Sequence, residues 1–135
     1  MSNRAAIENV LAGWSFAFDE NEAEGLGAAF TEDAELTMCI GGGDLIGPFQ
    51  GREALLGLFV GAIAEQPDKR RHITTNLVID SEDATSASVR SVLTIVSIKD
   101  GGIRLLTSGR YDDTFRCESG TWRIAKRHIE LDLAY

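Results

Sequence analysis

From Arg71 onward the apolar residues of this chain recur at every second position, in four runs over 72–81, 85–99, 103–117 and 121–133. Such alternation marks half-buried strands, because successive side chains leave opposite faces of the pleat. The runs are divided by SEDA, KDGG and ESG, each a tight-turn composition. Connections this short join antiparallel neighbours, since a parallel partner needs a crossover of about a dozen residues or more. The second half of the chain is therefore an antiparallel meander, and the first half must supply the cover for one of its faces.

That cover is helical. Over 3–20, Ile7, Val10, Leu11, Trp14 and Phe18 fall at spacings of three and four, one apolar stripe about 100° wide. Phe16 points elsewhere, and Ser2 or Asn3 is placed to cap the start. A short helical stretch over 22–30 is weakened by Gly25 and Gly27. AELTMCI, 34–40, is a short strand with Leu36, Met38 and Ile40 on one face. GGGDLIGPFQ, 41–50, has the strongest punctuation in the chain and is expected to be a loop. No Gly-Lys-Ser/Thr follows its glycines and no GxGxxG opens a helix, so they are not a phosphate cradle. GREALLGLFVGAIAEQ, 51–66, predicts a third helix, ended by Pro67. Helices first and strands after make an α+β fold, one domain over 1–135 with no internal repeat.

Composition removes several functional classes. The net charge is −8, with 21 acidic residues against 13 basic, so nucleic acid is not an expected partner. No run of ~18 apolar residues is present, which argues against a membrane span. No signal-type h-region follows Met1, so a cytoplasmic location is expected. Cys39 and Cys117 lie in separate apolar segments without CxxC spacing, and the two histidines, His72 and His128, are equally scattered. No metal and no cofactor are expected from that pattern. A small organic ligand fits the composition better. The run VLTIVSI, 92–98, is apolar on both faces, so helix, ligand cavity or a second subunit must cover the far side. A homodimer is the expectation.

Two polar residues stand where a pocket would need them. Asp19 falls on the shoulder of the first helix's stripe, either as a solvated helix end or as the polar group of a cavity. In RRHITTN, 70–76, His72, Thr74, Asn76 and Val78 share one face of a strand. Ile73, Thr75, Leu77 and Ile79 take the other, which reads as the core side. His72 then either faces solvent or lines a polar cavity.

The motifs RAAIENVL (4–11), LGAAFTEDAEL (26–36), GPFQGREAL (47–55), RHITTN (71–76) and GRYDDTFRCESGTWRIAKR (109–127) together resemble the SnoaL-like group of the nuclear transport factor 2-like superfamily. The resemblance spans nearly the whole chain, and its nearest branch holds scytalone dehydratase, bile-acid dehydratase and hexachlorocyclohexane dehydrochlorinase. It implies a cone: N-terminal helices packed on a strongly curved antiparallel sheet whose hollow holds a ligand. It also implies a dyad, with Asp19 in WSFAFDE matching the carboxylate and His72 in RHITTN matching the base that takes a proton from carbon. Imidazole, titrating near ~6.5, accepts a proton at neutral pH, and a carboxylate fixes its tautomer. The same resemblance makes Trp14, Phe49, Asn76, Tyr111 and Arg127 candidate pocket residues, with Arg127 as a cation for a developing anion. Trp14 departs from the family, where relatives carry Lys or Tyr. The implied activity is that of a cofactor-free lyase or isomerase on a small apolar, cyclic substrate. A noncatalytic binding or assembly domain is the alternative, and a polyketide cyclase or epoxide hydrolase a weaker one.

Overall fold

A computed structural model describes residues 2–135. The first helix, α1 (Arg4–Asp19), buries Ile7, Leu11, Trp14 and Phe18 and leaves Phe16 exposed, as the stripe requires. Asn3 occupies the cap position without capping; the Ser2 hydroxyl instead accepts the Arg4 N–H at 3.2 Å. A six-residue helix, α2 (Ala23–Ala28), buries Leu26 and leads into β1 (Phe30–Ile40). The expected loop over 41–50 is in part a strand, β2 (Ile46–Gln50), pairing Leu36 with Phe49 and Glu35 with Gln50. Gly41 and Gly42, both at positive φ, reverse the chain and return it onto β1. Pro48 is tolerated because β2 is an edge strand, where a missing N–H costs no ladder bond. Helix α3 (Arg52–Ala64) follows, tied to β1 by Arg52, whose Nε and Nη2 donate to the Phe30 carbonyl at 3.0 and 2.6 Å.

The four long strands are β3 (Lys69–Glu82), β4 (Ser86–Lys99), β5 (Gly102–Glu118) and β6 (Thr121–Leu131). They form the antiparallel meander that the turn compositions dictate. The sheet as a whole is mixed, in the order β2-β1-β6-β5-β4-β3, because β1 joins β6 in parallel. The short-turn rule governs consecutive strands only, so it could not anticipate this non-local seam. The three helices pack on the sheet, α1 against β3 and α3 against β1.

One strand departs from simple alternation. In β3 His72 is buried and Ile73 exposed, the reverse of the core side expected from its apolar residues. At Asn76 the backbone enters the left-handed region (φ 53°), and the pairing with β4 slips between Thr75 and Val78. This bulge exchanges the two faces, so His72 and Thr74 point inward before it while Leu77 and Ile79 do so after it. Asn76 itself is exposed.

On β4, Ala87, Val89, Ser91, Leu93, Ile95 and Ser97 face the core. Val92, Val96 and Ile98 lie half-buried on the outer face, beside Ile73 (42% exposed), Leu105 (67%) and Ile103 (75%). Among the described residues no helix is long and apolar enough to cross a membrane.

Among the glycines, the closest backbone approach is at Gly109 of β5, opposite Leu131. A Cβ there would land on the Glu130 carbonyl oxygen. Gly109→Ala should therefore force β5 and β6 apart and destabilise the fold by about 1–3 kcal/mol in urea unfolding. An unchanged midpoint would show that the seam is looser than described.

Candidate active site

Asp19 ends α1, and His72 lies near the start of β3, the strand on which that helix rests. The fold thus brings together two residues far apart in sequence. Both side chains are 4% exposed. Asp19 grips His72 twice: Oδ2 accepts the His72 backbone N–H at 2.9 Å, and Oδ1 meets Nδ1 of the ring at 2.7 Å. A carboxylate offers only lone pairs, so the ring proton belongs on Nδ1. Nε2 is left with its lone pair and has no hydrogen-bond partner among the described residues. Phe18 packs on the ring with centroids 4.6 Å apart, and Trp14 meets it edge-on at 5.7 Å. These contacts hold the imidazole plane in place.

The flanking arginines stay at the rim. Arg71 pairs with Glu20 at 2.5 Å, and its hydrogen bond holds that carboxyl below its ordinary range. Arg70 pairs with Asp68 at 2.9 Å and lies over the Tyr135 ring.

A groove of about 540 Å³ runs between α1 and β3. Asp19 and His72 form part of its wall, with Leu11, Phe16, Ile73 and Val96 contributing apolar surface. This volume suits a single small ring system. Asn76 lines the groove from its exposed bulge.

The other candidate residues lie elsewhere. Trp14, Tyr111 and Arg127 are buried in the interior, and none of them lines the groove. Phe49 sits on β2, at the opposite edge of the sheet from β3, packed partly against the core. Arg127 is not a surface cation, for it is 1% exposed. Its Nε and Nη2 donate to the two oxygens of Asp113 at 2.8 and 2.9 Å. Its guanidinium lies over Tyr111 at 3.6 Å and near Trp14 at 5.2 Å. Burial works against the charge on Arg127, but Asp113 outweighs it and holds the guanidinium above its ordinary range. Burial likewise pushes the Tyr111 phenol up. Nη1 of Arg127, Nε1 of Trp14 and Oγ of Ser91 are buried without partners.

Asp113 escaped the sequence reading. The signal was present in YDDTF, where Tyr111, Asp113 and Phe115 share one face of β5, and both aromatics mark that face as buried. A carboxylate between them demands a buried cation, and Arg127 is its cross-strand partner.

The SnoaL-like domain family matches residues 1–128. A gamma-hexachlorocyclohexane dehydrochlorinase from Sphingobium indicum is 24% identical over 129 residues, covering 95% of this chain and 80% of that protein. A scytalone dehydratase-like structure from Novosphingobium aromaticivorans superposes with a TM-score of 0.77 at 28% identity, covering 95% of this chain and 83% of the other. A Mycobacterium tuberculosis protein of unknown function gives a TM-score of 0.80, also at 28% identity, covering 95% and 70% of the two chains.

Proposed function

Because the chain belongs to the SnoaL-like domain family and has lyases among its distant relatives, we propose that it catalyses an elimination on a small, apolar, cyclic substrate. The single observation that carries this reading is the doubly anchored Asp19–His72 pair, whose two bonds leave Nε2 unengaged and whose two residues both line the groove. In the reaction, Nε2 takes a proton from carbon. The C–H electron pair becomes the new C=C bond, and a halide or hydroxyl leaves from the neighbouring carbon. Asp19 stabilises the imidazolium that forms, through the Nδ1–H bond it already accepts. The substrate rests in the groove, whose apolar surface includes Leu11 and Phe16 of α1.

The filled interior favours a second reading. Trp14 occupies space between His72 and Arg127, where the family resemblance implies a polar Lys or Tyr. A domain with the same groove that binds without turnover is consistent with this departure.

The two readings separate experimentally. Chloride release from γ-hexachlorocyclohexane and dehydration of a cyclic β-hydroxy ketone are the reactions to assay. His72→Ala should lower turnover ~10²–10⁴-fold, and Asp19→Asn by a comparable factor, with the far-ultraviolet spectrum unchanged. Turnover that survives His72→Ala would exclude the dyad as the catalytic base. Saturable binding of both compounds without turnover would favour the binding domain.

The uncovered apolar face of β3, β4 and β5 supports self-association as a homodimer. Light scattering should give twice the chain mass, and Leu105→Asp together with Ile73→Asp should give the monomer. A wild-type monomer at micromolar concentration would contradict this.

A further inference from the structure

The parallel seam between β1 and β6 assembles a cluster that no sequence spacing announced. Thr37 lies opposite His128 and Cys39 opposite Glu130. Residues two apart on a strand share a face, so Thr37, Cys39, His128 and Glu130 all project from one side of the sheet. That side is the outer one, since Arg127 and Leu131, at the alternate positions flanking His128 and Glu130, point into the core. One donor atom each from Cys39, His128 and Glu130 lies within 4.8 Å of the others, and all three residues are half-buried. Cys39 is a free thiol.

The hydrogen bonds around the cluster orient it for a cation. Nδ1 of His128 lies 2.6 Å from the Thr37 hydroxyl, and Nε2 lies 2.8 Å from Oε1 of Glu130. Without a cation the Glu130 carboxylate accepts Nε2–H and the Thr37 hydroxyl donates to Nδ1. A cation that replaces the Nε2 proton takes that nitrogen's lone pair beside the carboxylate and the thiol, and Nδ1–H then donates to Thr37. Arg110, which pairs across the ladder with Glu130, does not occupy this position. Its Nε and Nη2 are taken by Asp112 at 3.1 and 2.7 Å. A thiol nucleophile activated by histidine is disfavoured, because both ring nitrogens of His128 already have partners other than Cys39.

We propose that Cys39, His128 and Glu130 form a three-ligand site for a zinc-class divalent cation on the outer face of the β1–β6 seam. A sulfur, a nitrogen and an oxygen suit a borderline ion and disfavour magnesium and calcium, which take oxygen alone. Three protein ligands leave a fourth tetrahedral position for water. Thr37 is a positioning residue that fixes the His128 tautomer. The cation would pin together the parallel pair β1–β6, apart from the groove at Asp19 and His72.

Cobalt is the probe, because a thiolate ligand gives it a near-ultraviolet charge-transfer band that the Asp19–His72 pair cannot produce. Chelator-stripped protein under a phosphine reductant should develop that band with one equivalent of Co²⁺, and one equivalent of Zn²⁺ should abolish it. Cys39→Ser should remove the band, whereas Cys117→Ser should leave it intact. Thr37→Val, which deletes no ligand, should weaken cobalt affinity ~10–100-fold. The proposal is overturned if equimolar cobalt yields no charge-transfer band, or if the band survives Cys39→Ser. An affinity unchanged in Thr37→Val would remove the positioning role and with it the assigned geometry.

Discussion

The grip of one carboxylate on one residue organises this molecule. Asp19 holds the backbone and the ring of His72 at once, and in doing so fastens the C-terminal end of α1 to the edge strand β3. A ring bonded at Nδ1 alone could still swing about that bond. The second bond to the backbone N–H fixes the carboxylate relative to the strand, and Phe18 and Trp14 restrict the remaining freedom of the ring. The cost of burying a carboxylate is offset only because both of its oxygens are bonded. Chemistry and architecture therefore share one contact.

Behind the dyad the interior is built on a second charge pair. Arg127 and Asp113 meet in two parallel hydrogen bonds, and the guanidinium lies over Tyr111 with Trp14 close by. Isolated, either charge would be untenable in such a core; paired, they fix the positions of the aromatics that back His72. The result is an interior filled by side chains, with space for a ligand outside α1 rather than in the centre of the cone. The orphan N–H groups of Arg127 and Trp14 mark polar capacity that the fold does not itself use.

The helices, the meander and the Asp19–His72 contact are legible in the sequence, the contact only by resemblance. What stayed hidden shares a physical cause: each feature depends on a non-local pairing or on a single left-handed residue. The parallel seam joins strands from opposite ends of the chain, which turn lengths do not describe. Strand β2 exists because Gly41 and Gly42 fold 46–50 back onto β1, so the glycines that suggested a loop are the hinge of a hairpin. Asn76 breaks the alternation of β3, and without that bulge the apolar residues misplace the core face. Phe49 was drawn toward the site by its motif, yet sheet order sets it at the far edge. Arg127 lies close in sequence to Arg123 and Lys126, and only the burial of its cross-strand partner Asp113 sets it apart.

The central claim is that Asp19 keeps the His72 proton on Nδ1 and leaves Nε2 as the base. Nitrogen-15 NMR of the imidazole reads this directly, because a protonated ring nitrogen and one with a free lone pair resonate far apart. At a pH where His72 is neutral, Nδ1 should be pyrrole-like and Nε2 pyridine-like, and Asp19→Asn should abolish that preference. A His72 ring carrying its proton on Nε2, or averaging freely between tautomers in the unaltered protein, would contradict the account.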